Sequence, residues 1–256
     1  LDNALAELRS LARAVFDPYW QHPTIHHFWW PAFETIAAWF IETETRRRAC
    51  IETSHAEVEG SIDLAAPAGD VTFGARADRI DRLAGGGLAV LDYKTGETPS
   101  KAKVVGRRRT QLLVEAVIAA HGGFEGVEAD DVTQMEYWRL TGRRGEPGKQ
   151  TDVRPEGWSA AEDAAMLARL AADFDSEATP YASRPDPAIG PSFPRYDHLA
   201  RVDEWRIAEN GAALAGMDGG AIQPAAPHRP DFDPAVSVDA SKRQAAASDP
   251  AYSVFV

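Results

Sequence analysis

The chain has 256 residues, a formal net charge of -12 and a single cysteine, Cys50. This length suits one large domain or two small ones. One cysteine excludes an internal disulfide, a CxxC zinc site and an iron–sulfur cluster built from cysteines, and it fits a reducing compartment. No apolar run approaches the ~20 residues of a membrane helix, and no signal pattern opens the chain. We therefore predict a cytoplasmic protein without a membrane partner.

The N-terminal part predicts two helices. Apolar residues recur at helical spacing between Asn3 and Phe16. A second helix starts near Pro31, because proline is favoured in a first turn, and ends in the cationic run Arg46–Arg48. We expect its buried stripe to comprise Trp29, Phe33, Ile36, Phe40 and Ile41.

Strand patterns begin near residue 57. Short runs of strand-forming residues, separated by Pro67, Gly69 and Gly85–Gly87, predict a three-stranded meander that ends near Leu91. A further strand is predicted over residues 132–140, and charged loops over residues 96–106 and 142–157.

Helical patterns follow over residues 110–121, 159–174 and 197–205. Ser159, with Glu162 three residues later, forms a capping box for the second of these. After residue 207 the composition shifts to Ala, Gly, Pro and Asp, which predicts a disordered linker or tail over residues 207–256.

Two acidic residues are expected to face each other across the second hairpin. Directly opposed residues of an antiparallel hairpin share a constant index sum, and pairing Asp78 with Asp92 centres the turn on Gly85. Their Cβ atoms would then lie ~5 Å apart. Lys94 shares their face because side chains alternate along a strand. A slip of one residue would break this arrangement.

Opposed carboxylates destabilise a sheet unless a cation lies between them, so this pattern predicts a divalent-metal site. Magnesium prefers hard oxygen ligands and substrate phosphates, and it activates water for phosphodiester hydrolysis. Lys94 would orient that water or stabilise charge in the transition state. The alternative is a surface hairpin with an ordinary salt bridge, worth at most ~1 kcal/mol. The apolar run Leu88–Leu91 favours the metal site, because it indicates a buried strand that delivers charge at its end.

These residues also carry a family resemblance. Ala77-Asp78 followed by Asp92-Tyr93-Lys94 resembles the PD-(D/E)XK nuclease motif, with alanine in place of the frequent proline. More narrowly, GARADRIDRL, GGLAVLDYKTG and QLLVEAVIAAHGGF resemble the C-terminal nuclease domain of the AddB family, whose members partner AddA-type helicase-nucleases in bacterial double-strand-break repair. The likeness spans residues 29–205. It implies an α/β fold with a restriction-endonuclease-like core, in which helices flank a mixed central β-sheet.

The resemblance assigns roles to individual residues. It implies that Asp78, Asp92 and the backbone carbonyl of Tyr93 bind Mg²⁺, or Mn²⁺ in its place, and that Lys94 is the catalytic lysine. Gln111 matches the glutamine of a later motif, whose helix faces the metal and touches substrate or water.

Two departures from the family pattern stand out. Members of the broader group often have tyrosine four residues after this glutamine, where the chain has Glu115, whose role stays open. The broader group also uses a histidine or acid on a helix ahead of the sheet, and no matching glycine–histidine context precedes Leu5. Glu57 and Glu59 are the local alternatives.

The chain opens with Leu1 instead of methionine, so we expect a segment of a longer protein. Residues 1–206 would form a nuclease domain that lacks its upstream part. The tail sequence QAAASDPAYSVFV weakly resembles the region before the ATP-binding loop of AddA-type helicases, which would indicate a gene fusion. A low-complexity tail is the competing interpretation.

A basic cluster follows the Lys94 strand. Its members are Lys101, Lys103, Arg107, Arg108 and Arg109, with no acid among them. We predict that they bind DNA phosphates in a salt-dependent manner with little sequence preference. As an isolated feature such a cluster is more often a solvated loop, and its position beside the metal site favours the DNA-binding interpretation.

Other candidate motifs are weaker. His22, His26 and His27 have a spacing that suits a helical metal site, but Pro23 argues for a structural role. The segment GRRGEPGKQ has the wrong spacing for a phosphate-binding loop, so we expect no ATP site.

The sequence therefore predicts a Mg²⁺-dependent deoxyribonuclease, acting as the exonuclease domain of an AddB-like subunit in double-strand-break repair and recombination. Its expected partners are DNA and an AddA-like helicase-nuclease. The principal alternative is a nuclease-fold module that no longer cuts and serves as a DNA-binding or subunit-docking scaffold. A stand-alone exonuclease is a third reading, which the start at Leu1 disfavours.

Overall fold

The computed structural model of the chain describes residues 2–106 and 110–181. The basic residues Arg107, Arg108 and Arg109, the helix predicted over residues 197–205 and the tail predicted over residues 207–256 all lie outside the described residues. None of the described helices is long and apolar enough to cross a membrane.

The described part of the chain contains five α-helices and five strands. The helices are α1 (Asp2–Phe16), α2 (Trp30–Arg47), α3 (Lys101–Val105), α4 (Gln111–Ala120) and α5 (Ala160–Asp175). The strands are β1 (Ile51–Leu64), β2 (Val71–Leu83), β3 (Leu88–Lys94), β4 (Val132–Arg143) and β5 (Glu146–Asp152). Short 3-10 or π turns cover Asp17–Tyr19, Ile25–Trp29 and Arg48–Cys50.

All five strands form one sheet in the order β1-β2-β3-β4-β5. The neighbours are antiparallel except β3 and β4, which are parallel. Parallel neighbours need a long crossover, which here carries α3 and α4. Helix α2 packs against β4 and β5, while α4 and α5 lie on the opposite face of the sheet. The predicted α/β fold, a mixed central sheet flanked by helices, is confirmed.

The central strand β3 is buried on both faces, which explains its continuous apolar run. Leu88 and Val90 belong to the large cluster under α4 and α5, and Ala89 and Leu91 pack towards α2 with Trp138. Both of its neighbours in the sheet, β2 and β4, are longer than β3. The polar residues at the C-terminal end of β3 therefore lie between two strands.

Three expectations about secondary structure and burial are wrong. The loop predicted over residues 142–157 contains β5, and the loop predicted over residues 96–106 contains α3, capped by Ser100. Strand β5 is an edge strand that is largely exposed, so it shows no apolar alternation, and its pairing with β4 stabilises it instead. On α2 the fully buried residues are Ala37 and Thr43. Of the predicted stripe, Phe33, Ile36, Phe40 and Ile41 are half-buried, and Trp29, which precedes the helix, is 60% exposed.

The other elements predicted within the described residues are confirmed. Two glycines, Gly122 and Gly123, follow the end of α4. Gly122 has a positive φ of 71°, and the carbonyl oxygen of Gly123 accepts a hydrogen bond from the Ser61 amide at 3.1 Å. A Cβ on Gly123 would clash with the Ser61 carbonyl oxygen and lie 2.8 Å from Ile118 Cγ2. The glycine pair therefore lets α4 dock closely on β1.

We expect Gly123→Ala to lower the free energy of unfolding by about 1–3 kcal/mol, because backbone on both sides must shift to admit the methyl group. Urea denaturation followed by tryptophan fluorescence measures this change. Gly85→Ala is the matched control: a Cβ there meets nothing within 4 Å, so a change within about 0.5 kcal/mol is expected. Equal effects of the two substitutions would contradict the docking argument.

Candidate active site

The register of the β2–β3 hairpin is the one predicted from the sequence. Its four pairs run from Arg82↔Leu88 to Arg79↔Leu91 with a constant index sum, and the next pair along that line is Asp78 with Asp92. The turn uses glycine where glycine is needed, since Gly86 has a φ of 88°. The Tyr93 amide donates a hydrogen bond to Asp78 Oδ2 at 2.8 Å, which links the middle of β2 directly to the C-terminal end of β3.

Strand β2 changes face at Asp78. Ala77 packs into the core under α4, whereas Arg79, two residues later, contacts α2 on the other side of the sheet. Side chains two apart normally share a face, so the alternation is broken between them. Glu57, the residue of β1 that falls opposite Asp78 in the register, has a φ of 53°, a backbone conformation rare outside glycine. This paired distortion turns Asp78 towards the end of β3.

Glu57 and Glu59, the local acids considered from the sequence, do not join the site. Glu57 forms a salt bridge with Arg76 at 3.0 Å, and its side chain is 61% exposed. Glu59 is exposed on the same strand. The distortion at Glu57 therefore shapes the site without placing the Glu57 carboxylate in it.

Asp92, Lys94 and Gln111 form a hydrogen-bonded triangle. Lys94 Nζ donates to Asp92 Oδ1 at 2.7 Å and to Gln111 Oε1 at 3.0 Å. Gln111 Nε2 donates to the same Asp92 oxygen at 2.6 Å. Asp92 is 1% exposed, while Lys94 keeps a third of its side chain exposed. The structure thus brings the predicted Asp92, Lys94 and Gln111 together at the C-terminal end of β3.

Glu115 is a site residue whose role the sequence left open. It lies one turn after Gln111 on α4, and Gln111 Nε2 donates to Glu115 Oε1 at 3.1 Å. Its side chain is fully buried, and burial raises the pKa of Glu115 to about 8, with the negative charge of Asp92 as the next cause. The i, i+4 spacing of Gln111 and Glu115 on an otherwise apolar helix was the signal available in the sequence.

The electrostatics of the site are those of crowded carboxylates. Burial raises the pKa of Asp92, and the nearby charge of Asp78 adds to this, whereas Lys94 and Gln111 oppose it. Asp78 also raises the pKa of Glu115. Asp78, Asp92 and Glu115 therefore repel one another. The positive charge of Lys94 acts in the opposite direction and lowers the pKa of Asp92 and of Glu115.

The donor set suits a hard divalent cation. Asp92 Oδ2 and Glu115 Oε2 are buried and have no hydrogen-bond partner among the described residues. Buried polar atoms are normally satisfied, so these two oxygens indicate a missing electrophilic partner. No group of three His, Cys, Asp or Glu side chains in the described residues already stands at metal-ligand spacing.

Tyr93 is held from the opposite face of the sheet. Its hydroxyl accepts a hydrogen bond from Arg79 Nη1 at 3.2 Å, and the same guanidinium pairs with Glu44 on α2 at 2.6 Å. Arg79 also bonds Asp81, which in turn pairs with Arg47. This buried network, which the sequence reasoning missed, fixes the segment whose backbone carbonyl the resemblance assigns to the metal.

The basic cluster is only partly described. Lys101 and Lys103 lie exposed on α3, which Val104 anchors in the core and Ser100 caps by accepting from the Lys103 amide. Helix α3 connects the end of β3 to the start of α4, so these two lysines are carried by the segment between Lys94 and Gln111. Arg107, Arg108 and Arg109 lie outside the described residues.

Comparison with known proteins identifies a superfamily, and two similar Rickettsia proteins are uncharacterized. The family model of the PD-(D/E)XK nuclease superfamily matches residues 1–189. An uncharacterized protein of Rickettsia bellii (strain RML369-C) is 26% identical over 96 residues, which cover 38% of this chain and 12% of the relative. Uncharacterized protein RC0550 of Rickettsia conorii is 29% identical over 85 residues, covering 33% of this chain and 10% of the relative.

The chain thus corresponds to about a tenth of the length of these relatives, neither of which is described as a helicase-nuclease subunit. A crystal structure of SSO0001 aligns with a TM-score of 0.30 and 16% identity, covering 61% of this chain and 70% of that one. The mixed sheet, the Asp78, Asp92 and Lys94 arrangement at its central strand and the family match over most of the chain agree. The chain belongs to the PD-(D/E)XK nuclease superfamily.

Proposed function

We propose that this chain is the metal-dependent DNA exonuclease domain of an AddB-like helicase-nuclease subunit. The superfamily match supports a nuclease-type function, and its members typically use divalent metals. The observation that carries the proposal is the convergence of Asp78, Asp92, Lys94 and Gln111 at one end of β3. A structural role does not explain this convergence, because it leaves a buried carboxylate oxygen of Asp92 unsatisfied.

Each residue has a separate task in phosphodiester hydrolysis. Asp78, Asp92 and the Tyr93 carbonyl would hold Mg²⁺ or Mn²⁺, which when bound polarises the scissile phosphate and activates water. The side chain of Lys94 is one-third exposed. Its ammonium group would orient the attacking water or stabilise the charge that develops on phosphate oxygens. Gln111 orients both Asp92 and Lys94, because its amide donates to one and accepts from the other.

The DNA would approach from the side of α3. Lys101 and Lys103 are exposed there, and Arg107 to Arg109 follow in the sequence, so the segment between Lys94 and Gln111 is cationic in an otherwise acidic protein. Phosphate contacts position a strand without reading its bases. We therefore expect degradation with little sequence preference.

The place in double-strand-break repair, with an AddA-like helicase as partner, rests on the likeness of three segments to AddB-type nuclease domains. Those segments are residues 74–83, 86–96 and 111–124, which form β2, β3 and α4 with the Gly122–Gly123 stop. All three surround the proposed active site. The alternative scaffold function is disfavoured, because a docking module has no use for opposed carboxylates beside a lysine.

We expect Lys94→Ala to reduce cleavage of end-labelled single-stranded DNA in Mg²⁺ by about 100-fold or more, since it removes a preorganised charge from the transition state. Asp92→Asn should have at least as large an effect, while both variants keep DNA binding in EDTA. Lys149→Ala, at an exposed lysine of β5, is the control and should cut normally. Wild-type protein that binds DNA but cuts with neither Mg²⁺ nor Mn²⁺ would support the scaffold alternative.

Neutralising Lys101, Lys103, Arg107, Arg108 and Arg109 to alanine should weaken DNA binding and flatten its salt dependence. Each lost phosphate contact lowers the slope of log K against log salt by roughly 0.7–0.9. Fluorescence anisotropy in EDTA at several salt concentrations measures this slope. The double variant Arg143→Ala/Arg144→Ala, at the exposed turn between β4 and β5, is the control. An unchanged slope in the cluster variant would remove these residues from the DNA interface.

The stability of the metal-free protein should fall as pH rises from about 4.5 to about 8. The pKa of Glu115 is about 8 in the folded protein and 4.5 in the unfolded chain, so between these values the folded state holds a proton that the unfolded state has lost. This makes the free energy of unfolding decrease by up to about 1.4 kcal/mol per pH unit. Urea denaturation in EDTA should show that Glu115→Gln flattens the decline. Parallel pH profiles for both proteins would refute the assignment.

A further inference from the structure

We propose that Glu115 is a third acidic ligand of the metal site, joining Asp78 and Asp92 on a divalent cation of hard-oxygen preference. This inference rests on the proposed function, because it assumes that the carboxylates at the end of β3 bind metal. It assigns a role to a buried acid whose role the sequence left open.

The first argument is the bridge made by Gln111. Its Nε2 donates both to Asp92 Oδ1 at 2.6 Å and to Glu115 Oε1 at 3.1 Å. One amide group thus holds the two carboxylates side by side, each by a single oxygen. The other two oxygens, Asp92 Oδ2 and Glu115 Oε2, are buried and have no hydrogen-bond partner among the described residues. A cation is the partner that both oxygens can share.

The second argument is the unfavourable state of Glu115 without such a partner. Its side chain is fully buried between α4 and the sheet, so a charged carboxylate there has an uncompensated desolvation cost. A protonated carboxyl would leave a buried acid group whose Oε2 still lacks a partner among the described residues. Leucine or alanine would fill this apolar helix face at no such cost, so a solely structural role for Glu115 is poorly supported.

The third argument is the charge of the cluster. Gln111 holds Asp92 and Glu115 by one amide, and the Tyr93 amide holds Asp78 at the same end of β3, so three carboxylates gather there. Among the described residues, Lys94 is the cation hydrogen-bonded to them, through Asp92. Three carboxylates and one ammonium carry two excess negative charges when ionised, which one divalent cation neutralises. Two or three carboxylates with waters and substrate oxygens form an ordinary oxygen coordination set for Mg²⁺ or Mn²⁺.

The test is titration calorimetry of Mn²⁺ and Mg²⁺ into the metal-free full chain without DNA. Glu115→Gln keeps the side-chain shape and removes the charged ligand, so its Kd for Mn²⁺ should rise at least about tenfold. Its melting temperature should increase less than that of the wild type when Mn²⁺ is added. Glu97→Gln, at an exposed residue just after β3, is the control and should match the wild type.

A Kd for Glu115→Gln within twofold of the wild type would overturn the proposal. If that variant does not fold, Glu115→Asp keeps the charge and shortens the reach, and a ligand role then predicts a weaker Kd in a folded protein. An unchanged Kd for folded Glu115→Asp would likewise overturn the proposal.

The same titrations separate this inference from the proposed nuclease. Tenfold weaker metal binding by Glu115→Gln in a protein that never cuts DNA would retain the ligand and reject the nuclease. DNA cleavage by the wild type with equal metal affinity in Glu115→Gln would retain the nuclease and reject the ligand. A wild-type chain that binds neither Mn²⁺ nor Mg²⁺ would overturn both.

Discussion

The register of the β2–β3 hairpin is the constraint on which the rest of the site depends. It ends the β2–β3 pairing next to Asp78 and Asp92, where the Tyr93 amide bonds Asp78, and it puts Lys94 on the same face as Asp92, towards α4. A slip of one residue would send these charges into the apolar layer against α2, where Trp138 and Leu91 pack. The glycine turn sets this register, and the apolar run Leu88–Leu91 ends where the polar residues of the site begin, so the core and the site depend on the same strand pairing.

The second layer of the site comes from the crossover between the parallel strands β3 and β4. Parallel pairing forces the chain to leave the end of β3 and return along the sheet, and α4 starts on this path with Gln111. Its apolar residues bury the helix against the sheet, which carries Gln111 and Glu115 to the carboxylates of β3. The docking contact at Gly123 and Ser61 holds the far end of the same helix. The topology of the sheet therefore supplies polar groups that the hairpin alone lacks.

The charged side chains on the two faces of the sheet differ in how completely they are paired. Towards α2, Arg79, Asp81 and Arg47 satisfy one another and Glu44 through closely spaced ion pairs, as a buried network must. Towards α4, the described cluster holds Asp78, Asp92 and Glu115 against Lys94, and two carboxylate oxygens have no hydrogen-bond partner among the described residues. The paired network holds Tyr93 in place, and the unpaired cluster beside it is where ligand binding would be favourable. Asp78 lies at the break in alternation where β2 passes from one environment to the other.

The sequence by itself determined the hairpin register, the main helices and strands, and Asp78, Asp92 and Lys94 as neighbours. These follow from spacing along the chain, because strand alternation, the glycine turn and helix periodicity are all local. The family resemblance added Gln111. Only the tertiary structure decided that Glu115 is buried beside Asp92, that polar residues 146–152 form a strand, and that Glu44 pairs with Arg79 across 35 positions. The physical reason is that burial and ion pairing depend on contacts between elements that are distant in sequence. Such contacts produce no periodic pattern along the chain from which they could be predicted.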